Sequence, residues 1–143
     1  MGYTLVDTYS GERSLNYLAT LATTLQLQES LTGYEATSND TEAVRRLFQP
    51  HLKHLLDGQW QFAMVVVVKL QGHLPVHRDG ALPNGTKRHH LVLQTNPRYW
   101  DFVDGQWLQL KQGGIYEFDP TKEHGAINWG AEAGIRLVVD IVI

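Results

Sequence analysis

Cysteine is absent from the chain. That excludes a disulfide framework and any thiolate zinc site, and it fits a reducing compartment. Long apolar runs are missing too. The longest, Phe62 to Val68, has seven residues, far below the roughly 20 that a membrane-spanning helix needs. Basic charge is scarce: 12 Lys and Arg face 15 Asp and Glu, a formal charge of −3. Without clustered cations a phosphate backbone has nothing to bind, so a nucleic-acid partner is not expected. The stretch MGYTLVDTYSGERS has neither the basic start nor the apolar middle of a secretion signal, and its sixth position is not the Ser or Thr of a myristoylation site. No repeat, low-complexity tract or linker breaks the rest. With 143 residues, 43% of them hydrophobic, the chain can enclose a core unaided. The expectation is a single cytoplasmic domain without membrane contact.

What is present divides by periodicity. Leu15, Leu18, Leu21, Ala22 and Leu25 recur at three- and four-residue steps, one stripe of a helix. The polar segment TGYEATSND reads as a loop, with Asn39 and Glu42 spaced as a capping box for a second helix. Val44, Leu47, Phe48, Leu52, Leu55 and Leu56 continue the helical stripe, and Pro50 inside it predicts a kink or two consecutive short helices, ending by Gly58. Residues 1–58 are therefore expected to form a helical support. From Gln59 the runs WQFAMVVVVKL, LPVHRD, RHHLVLQT, RYWDFV, QWLQL, GIYEFD, HGAINW and IRLVVDIVI are short, β-rich and divided by turn signals. They predict a mainly β fold, a sandwich or barrel over residues 59–143 with the helices on one face.

Two readings compete for the segment VHRDGALPNG. His77-Arg78-Asp79 followed by Asn84 spells the catalytic loop of a protein kinase. A kinase, however, needs a helix and several strands between its nucleotide-binding lysine and that loop, and only seven residues separate Lys69 from His77. The other reading is a metal site. On a strand, side chains at i and i+2 share a face, so His77 and Asp79 point together while Arg78 points away. Among seven histidines, His124 is placed to complete the set, where a loop re-enters a strand after Phe118-Asp119-Pro120. Two histidines and one carboxylate occupy one face of an octahedral metal and leave the opposite positions open.

The last two strands extend the argument. If 124–129 and 135–142 form a hairpin, Asn128 lies opposite Arg136 and His124 opposite Asp140. Arg136 then shares the inward face with His124, about 13 Å along at ~3.3 Å per residue. A five-carbon diacid chelating the metal at one end could meet that guanidinium with its far carboxylate. Asn128, inward in the same hairpin, is placed to hydrogen-bond either ligand. Trp100 and Trp107 are expected to pack rather than line a site.

From His73 to Ile143 the chain resembles the catalytic core of the aspartyl/asparaginyl β-hydroxylase family, Fe(II)- and 2-oxoglutarate-dependent oxygenases on a double-stranded β-helix (jelly-roll, cupin-like) fold. The segments VHRDG, KRHHLVL, DGQWLQLKQGGIYEFDPTKEHGAINWG and GIRLVVDIVI carry the resemblance, in order and in spacing. It implies iron bound by His77, Asp79 and His124, with O2 and 2-oxoglutarate as co-substrates. Arg136 would hold the distal carboxylate of 2-oxoglutarate and His90 its metal-proximal end, while Arg88 would face the substrate. Strand parity agrees, since Arg88 and His90 share a face. An inward histidine can equally satisfy a buried hydrogen bond, and strand-end arginines are often simply exposed. Asp79 is the carboxylate that vertebrate members lack and that bacterial relatives acting on free amino acids keep. The implied activity is hydroxylation of an amino acid, or of an amino-acid side chain in a peptide, with release of succinate and CO2. Two alternatives stay open: a metal cupin enzyme without 2-oxoglutarate, and a non-enzymatic jelly-roll module that binds a small molecule or peptide.

Overall fold

The computed structural model describes residues 2–11, 13–37, 40–52 and 54–142. In chain order these form β1 (Tyr3–Thr8), α1 (Leu15–Ala22), β2 (Leu27–Glu29), β3 (Tyr34–Thr37), α2 (Thr41–Phe48), β4 (Gln59–Val68), β5 (His73–His77) and β6 (Thr86–Gln94). Then come β7 (Tyr99–Val103), β8 (Gln106–Leu108), β9 (Gly114–Phe118), β10 (His124–Asn128) and β11 (Gly134–Val142). Two antiparallel sheets result, one in the order β1-β9-β6-β11-β4-β3-β2 and one in the order β5-β10-β7-β8.

The centre of the large sheet is covered on both faces, which is why β4 and β11 read as nearly continuous apolar runs. Ala63, Val65 and Val67 of β4, Leu91 and Leu93 of β6, and Leu137, Val139 and Ile141 of β11 pack with Leu18, Ala22, Val44 and Phe48 of the helices. The alternate residues of the same strands, among them Phe62, Met64, Arg88, His90, Arg136 and Val138, line a cavity on the other face. Period-two alternation thus sends one set of side chains into an apolar core and the other into the site.

Both helices are capped by side chains: Ser14 Oγ accepts from the Tyr17 amide at 3.1 Å, and Asp40 Oδ1 accepts from the Ala43 amide at 3.0 Å. Asp40 therefore caps α2; Asn39, the expected cap, lies outside the described residues. Pro50 sits in a 3₁₀ turn, Gln49–His51, that follows α2 directly, so the stripe does break into two short pieces. No described helix is long and apolar enough to cross a membrane.

Two expectations need correction. Residues 1–58 are not helical throughout: β1, β2 and β3 lie there, and part of the supposed loop TGYEATSND is strand β3. These strands widen the large sheet at both edges, with β1 on β9 and β3 on β4. Nor do β10 and β11 form a hairpin. β10 pairs with β5 and β7, and β11 with β4 and β6. The segment between them crosses from one sheet to the other, because residues 134–141 are all buried and need a strand on either side. Asp140 consequently lies opposite Arg88 and Phe62, not His124. The eight strands expected from Gln59 onward are all present, and the two sheets form a cupin-like jelly roll.

Candidate metal centre

His77 ends β5 and His124 begins β10, and the two are direct cross-strand partners with ring centroids 4.2 Å apart. Asp79 follows two residues beyond His77, its amide tied to the Pro120 carbonyl at 2.9 Å. Its carboxylate stands 3.7 Å from His77 Nε2 and 3.3 Å from His124 Nε2. One ligand atom from each of the three lies within 4.8 Å of the others. Both imidazoles are oriented from behind: His77 Nδ1 is 2.7 Å from the Pro75 carbonyl and His124 Nδ1 is 2.7 Å from that of Lys122. A carbonyl can only accept, so Nδ1 carries the hydrogen and the Nε2 lone pair is left free toward the site. Burial holds His124 below the ordinary histidine range, against the pull of the Lys122 carbonyl, and the neighbouring His77 lowers it further. A neutral imidazole is the form that ligates. Donor set, separation and tautomers all fit a divalent metal.

The centre opens on a cavity of about 420 Å³ between the sheets, whose lining includes Arg88, His90 and Arg136. Arg88 donates from Nε and Nη2 to the two carboxylate oxygens of Asp140, at 2.7 and 2.9 Å, and from Nη1 to Asp79 at 3.2 Å. Burial works against this charge, and the hydrogen-bonded Asp140 more than offsets it, so the guanidinium pKa is raised. Most of the donors expected to face a substrate are thus committed to Asp140 and to Asp79. Asp140, the odd acid on the inward face of the last strand, is the residue that holds Arg88.

His90 is buried among Tyr3 and Phe118, with its ring edge-on to both, and its Nδ1 has no hydrogen-bond partner among the described residues. Burial first, then the charges of Arg136 and Arg88, push its pKa well below the usual value, so it is neutral. Arg136 is also buried and lies over the Tyr99 ring at 5.1 Å. Its two terminal nitrogens both donate to Asp101, Nη1 at 2.6 Å.

Asn128 is not brought to this cavity. Its carboxamide donates to the carbonyls of Val68 and Glu132 and accepts from Asn96 and the Gly130 amide, which exhausts its capacity. It pins the crossing between β10 and β11, and the ligand role expected of it depended on the hairpin that does not form. Trp100 and Trp107 do not pack inward either: with Ile127 and Trp129 they line a shallow apolar groove on the protein surface.

Asp101 is the residue that sequence reasoning missed. A signal was available, since in RYWDFV the acid shares a face with Tyr99 and Val103. A carboxylate between two inward apolar side chains needs a buried cation, and Arg136 is one.

Residues 24–143 match the family model described as aspartyl/asparaginyl beta-hydroxylase. No curated protein sequence matches the chain. Among solved structures, HygX from Streptomyces hygroscopicus, with nickel, 2-oxoglutarate and hygromycin B bound, is similar at a TM-score of 0.70 and 10% identity, over 97% of this chain and 82% of that one. An oxidoreductase of the 2OG-Fe(II) oxygenase family from Burkholderia pseudomallei gives 0.65 and 12%, over 97% and 83%. An RmlC-like cupin from Shewanella frigidimarina gives 0.51 and 13%, over 100% and 96%. At such identities the likeness is one of fold.

Proposed function

The chain belongs to the aspartyl/asparaginyl β-hydroxylase family, and from that premise we propose that it is an Fe(II)- and 2-oxoglutarate-dependent dioxygenase. Its substrate would be an amino acid or an amino-acid side chain in a peptide, converted as R–H + O2 + 2-oxoglutarate → R–OH + succinate + CO2. The observation that carries the reading is the convergence of His77, Asp79 and His124 on a cavity that also holds the buried cation Arg136.

Iron held there by two Nε2 atoms and one carboxylate oxygen would supply the oxidising chemistry, with positions left for a chelating 2-oxo acid and for O2. The protein's own part is orientation. Pro75 and Lys122 fix the imidazole tautomers, and Arg88 steadies Asp79. Neutral His90, which lines the cavity, would hydrogen-bond the metal-proximal end of the 2-oxo acid without adding charge. Arg136 would provide the cationic end for its distal carboxylate. Arg88 keeps two N–H groups beyond those given to Asp140 and Asp79, available to a substrate carboxylate. A neighbouring cavity of about 510 Å³, which shares Arg88 and Phe118 with the first, is where that substrate would enter.

A second reading, a metal cupin enzyme without 2-oxoglutarate, has one observation on its side: Asp101 already neutralises Arg136. The test is succinate formation from 2-oxoglutarate with Fe(II) and ascorbate, with and without candidate amino acids. The dioxygenase predicts turnover that is lost in both His77→Ala and Arg136→Ala. Activity that needs His77 but survives Arg136→Ala would favour the cupin. A protein that binds neither metal nor 2-oxoglutarate would be a ligand-binding module.

A further inference from the structure

We propose that Tyr3 is a further co-substrate-binding residue, whose hydroxyl donates a hydrogen bond to the distal carboxylate of the 2-oxo acid beside Arg136. The inference rests on the co-substrate reading above. It adds to that subsite a side chain from β1, a strand outside the segment 24–143 that carries the family match.

Tyr3 opens β1, the edge strand of the large sheet, and lies directly opposite Phe118 of β9. Phe118 is in turn opposite Arg88 of β6. Cross-strand partners share a face, so Tyr3 points with them into the sandwich. The rest of β1 is exposed, whereas Tyr3 is partly buried. Its ring stacks on Phe118 with centroids 4.4 Å apart, and stands edge-on to His90 at 5.2 Å and to Tyr116 at 6.2 Å. These neighbours hold the ring against the wall of the cavity that also contains His77, Asp79, His124 and Arg136. The hydroxyl end lies beside the Arg136 guanidinium, near enough to Asp101 to feel its charge. Burial first, then that carboxylate, raise the phenol pKa against the pull of Arg136, so the hydroxyl keeps its proton.

A guanidinium can only donate, so Arg136 meets the phenol oxygen and leaves the phenol hydrogen in need of an acceptor. Among the described residues no carboxylate or carbonyl accepts it; the two oxygens of Asp101 are held by Nη1 and Nη2 of Arg136. A carboxylate arriving at Arg136 supplies that acceptor. It also gains from an extra donor, because Asp101 has already taken one N–H from each terminal nitrogen. The phenol provides the donor without a second charge, and a hydrogen bond to an ionised acceptor is about twice as strong as one between neutral groups.

The experiment uses the full chain loaded with Mn(II) under anaerobic conditions. Binding of 2-oxoglutarate is compared by calorimetry with binding of 2-oxopentanoate, which has the same five carbons without the distal carboxylate. Tyr3→Phe keeps the ring packing and removes only the hydroxyl. It should bind 2-oxoglutarate at least about tenfold more weakly than the native protein does, with 2-oxopentanoate and Mn(II) affinities unchanged. Tyr3→Leu, which keeps an apolar side chain on the strand, is the second variant and should show the same selective loss should Tyr3→Phe fail to fold. Unchanged 2-oxoglutarate binding, or an equal loss for both acids, would overturn the inference and leave the co-substrate reading intact, since Tyr3 would then only pack. Binding of neither acid to native protein that binds Mn(II) normally would overturn both.

Discussion

Asp140 shows how far a single side chain can reach. It touches no candidate ligand, yet its two oxygens hold Nε and Nη2 of Arg88, whose Nη1 steadies Asp79. Replacing it with Asn leaves a buried guanidinium short of its countercharge, and we expect a stability loss of about 3 kcal/mol in urea unfolding. Because Asp79 loses its orientation, metal affinity should also fall about tenfold in a titration of metal-free protein. Stability with unchanged affinity would mean that Arg88 does not act through Asp79. His90 gives a pH signature. Its pKa lies well below the usual value in the fold because of burial, so below about pH 6.5 the unfolded chain binds a proton that the folded one refuses. Stability contributed this way is complete above that pH and is lost on acidification, at up to about 1.4 kcal/mol per pH unit. Urea midpoints measured from pH 7.5 to 5.5 should therefore decline, less steeply in His90→Gln; His89 and His124, shifted the same way by burial, keep some slope. At this scale the sequence was informative where two residues are close along the chain, as with His77 at the end of β5 and Asp79 two residues beyond it. It was silent where a contact joins two sheets: Asp101 and Arg136 are 35 residues apart, and no local period connects them.

The element that brings the two histidines together is the β5–β10 pair, and its closeness depends on Gly125. A Cβ there would stand 2.7 Å from the Leu74 carbonyl oxygen and 3.1 Å from the Val76 amide nitrogen, both backbone atoms of β5. Gly125→Ala should push the strands apart, costing about 1–3 kcal/mol and weakening metal binding through the displaced His77–His124 register; unfolding and metal titration of the same variant check both. Element identity was legible where periodicity was strong, as in β4, β6 and β11. It failed for β1, an exposed edge strand without alternation, and for β3, whose four residues are all half-buried. The β10–β11 connection misled for another reason. A five-residue, Gly-flanked link is normal for a hairpin, and only the burial of β11 on both faces, a property of the assembled sheets, sends it across. The side-chain parity survived the error: His124 and Arg136 both face inward, from opposite sheets.

For the molecule as a whole, the metal should act as a fastener between sheet edges. His77 and His124 belong to the small sheet, while Asp79 is tied through Arg88 to the large one. A ligand that binds only the folded state adds about 2.7 kcal/mol at a hundred times its dissociation constant, so metal-loaded protein should melt several degrees above protein treated with a chelator, and His124→Ala should show no such difference. The architecture was legible from the spacing of strands and turns, whereas the added strands of the N-terminal segment were visible only once folded. The most direct test of the central claim is the visible absorption of the anaerobic protein with Fe(II) and 2-oxoglutarate. A charge-transfer band that saturates at one iron per chain in the native protein and vanishes in His77→Ala and His124→Ala is the result expected here. The same band in those variants, or none in a native protein shown to bind iron, would contradict it.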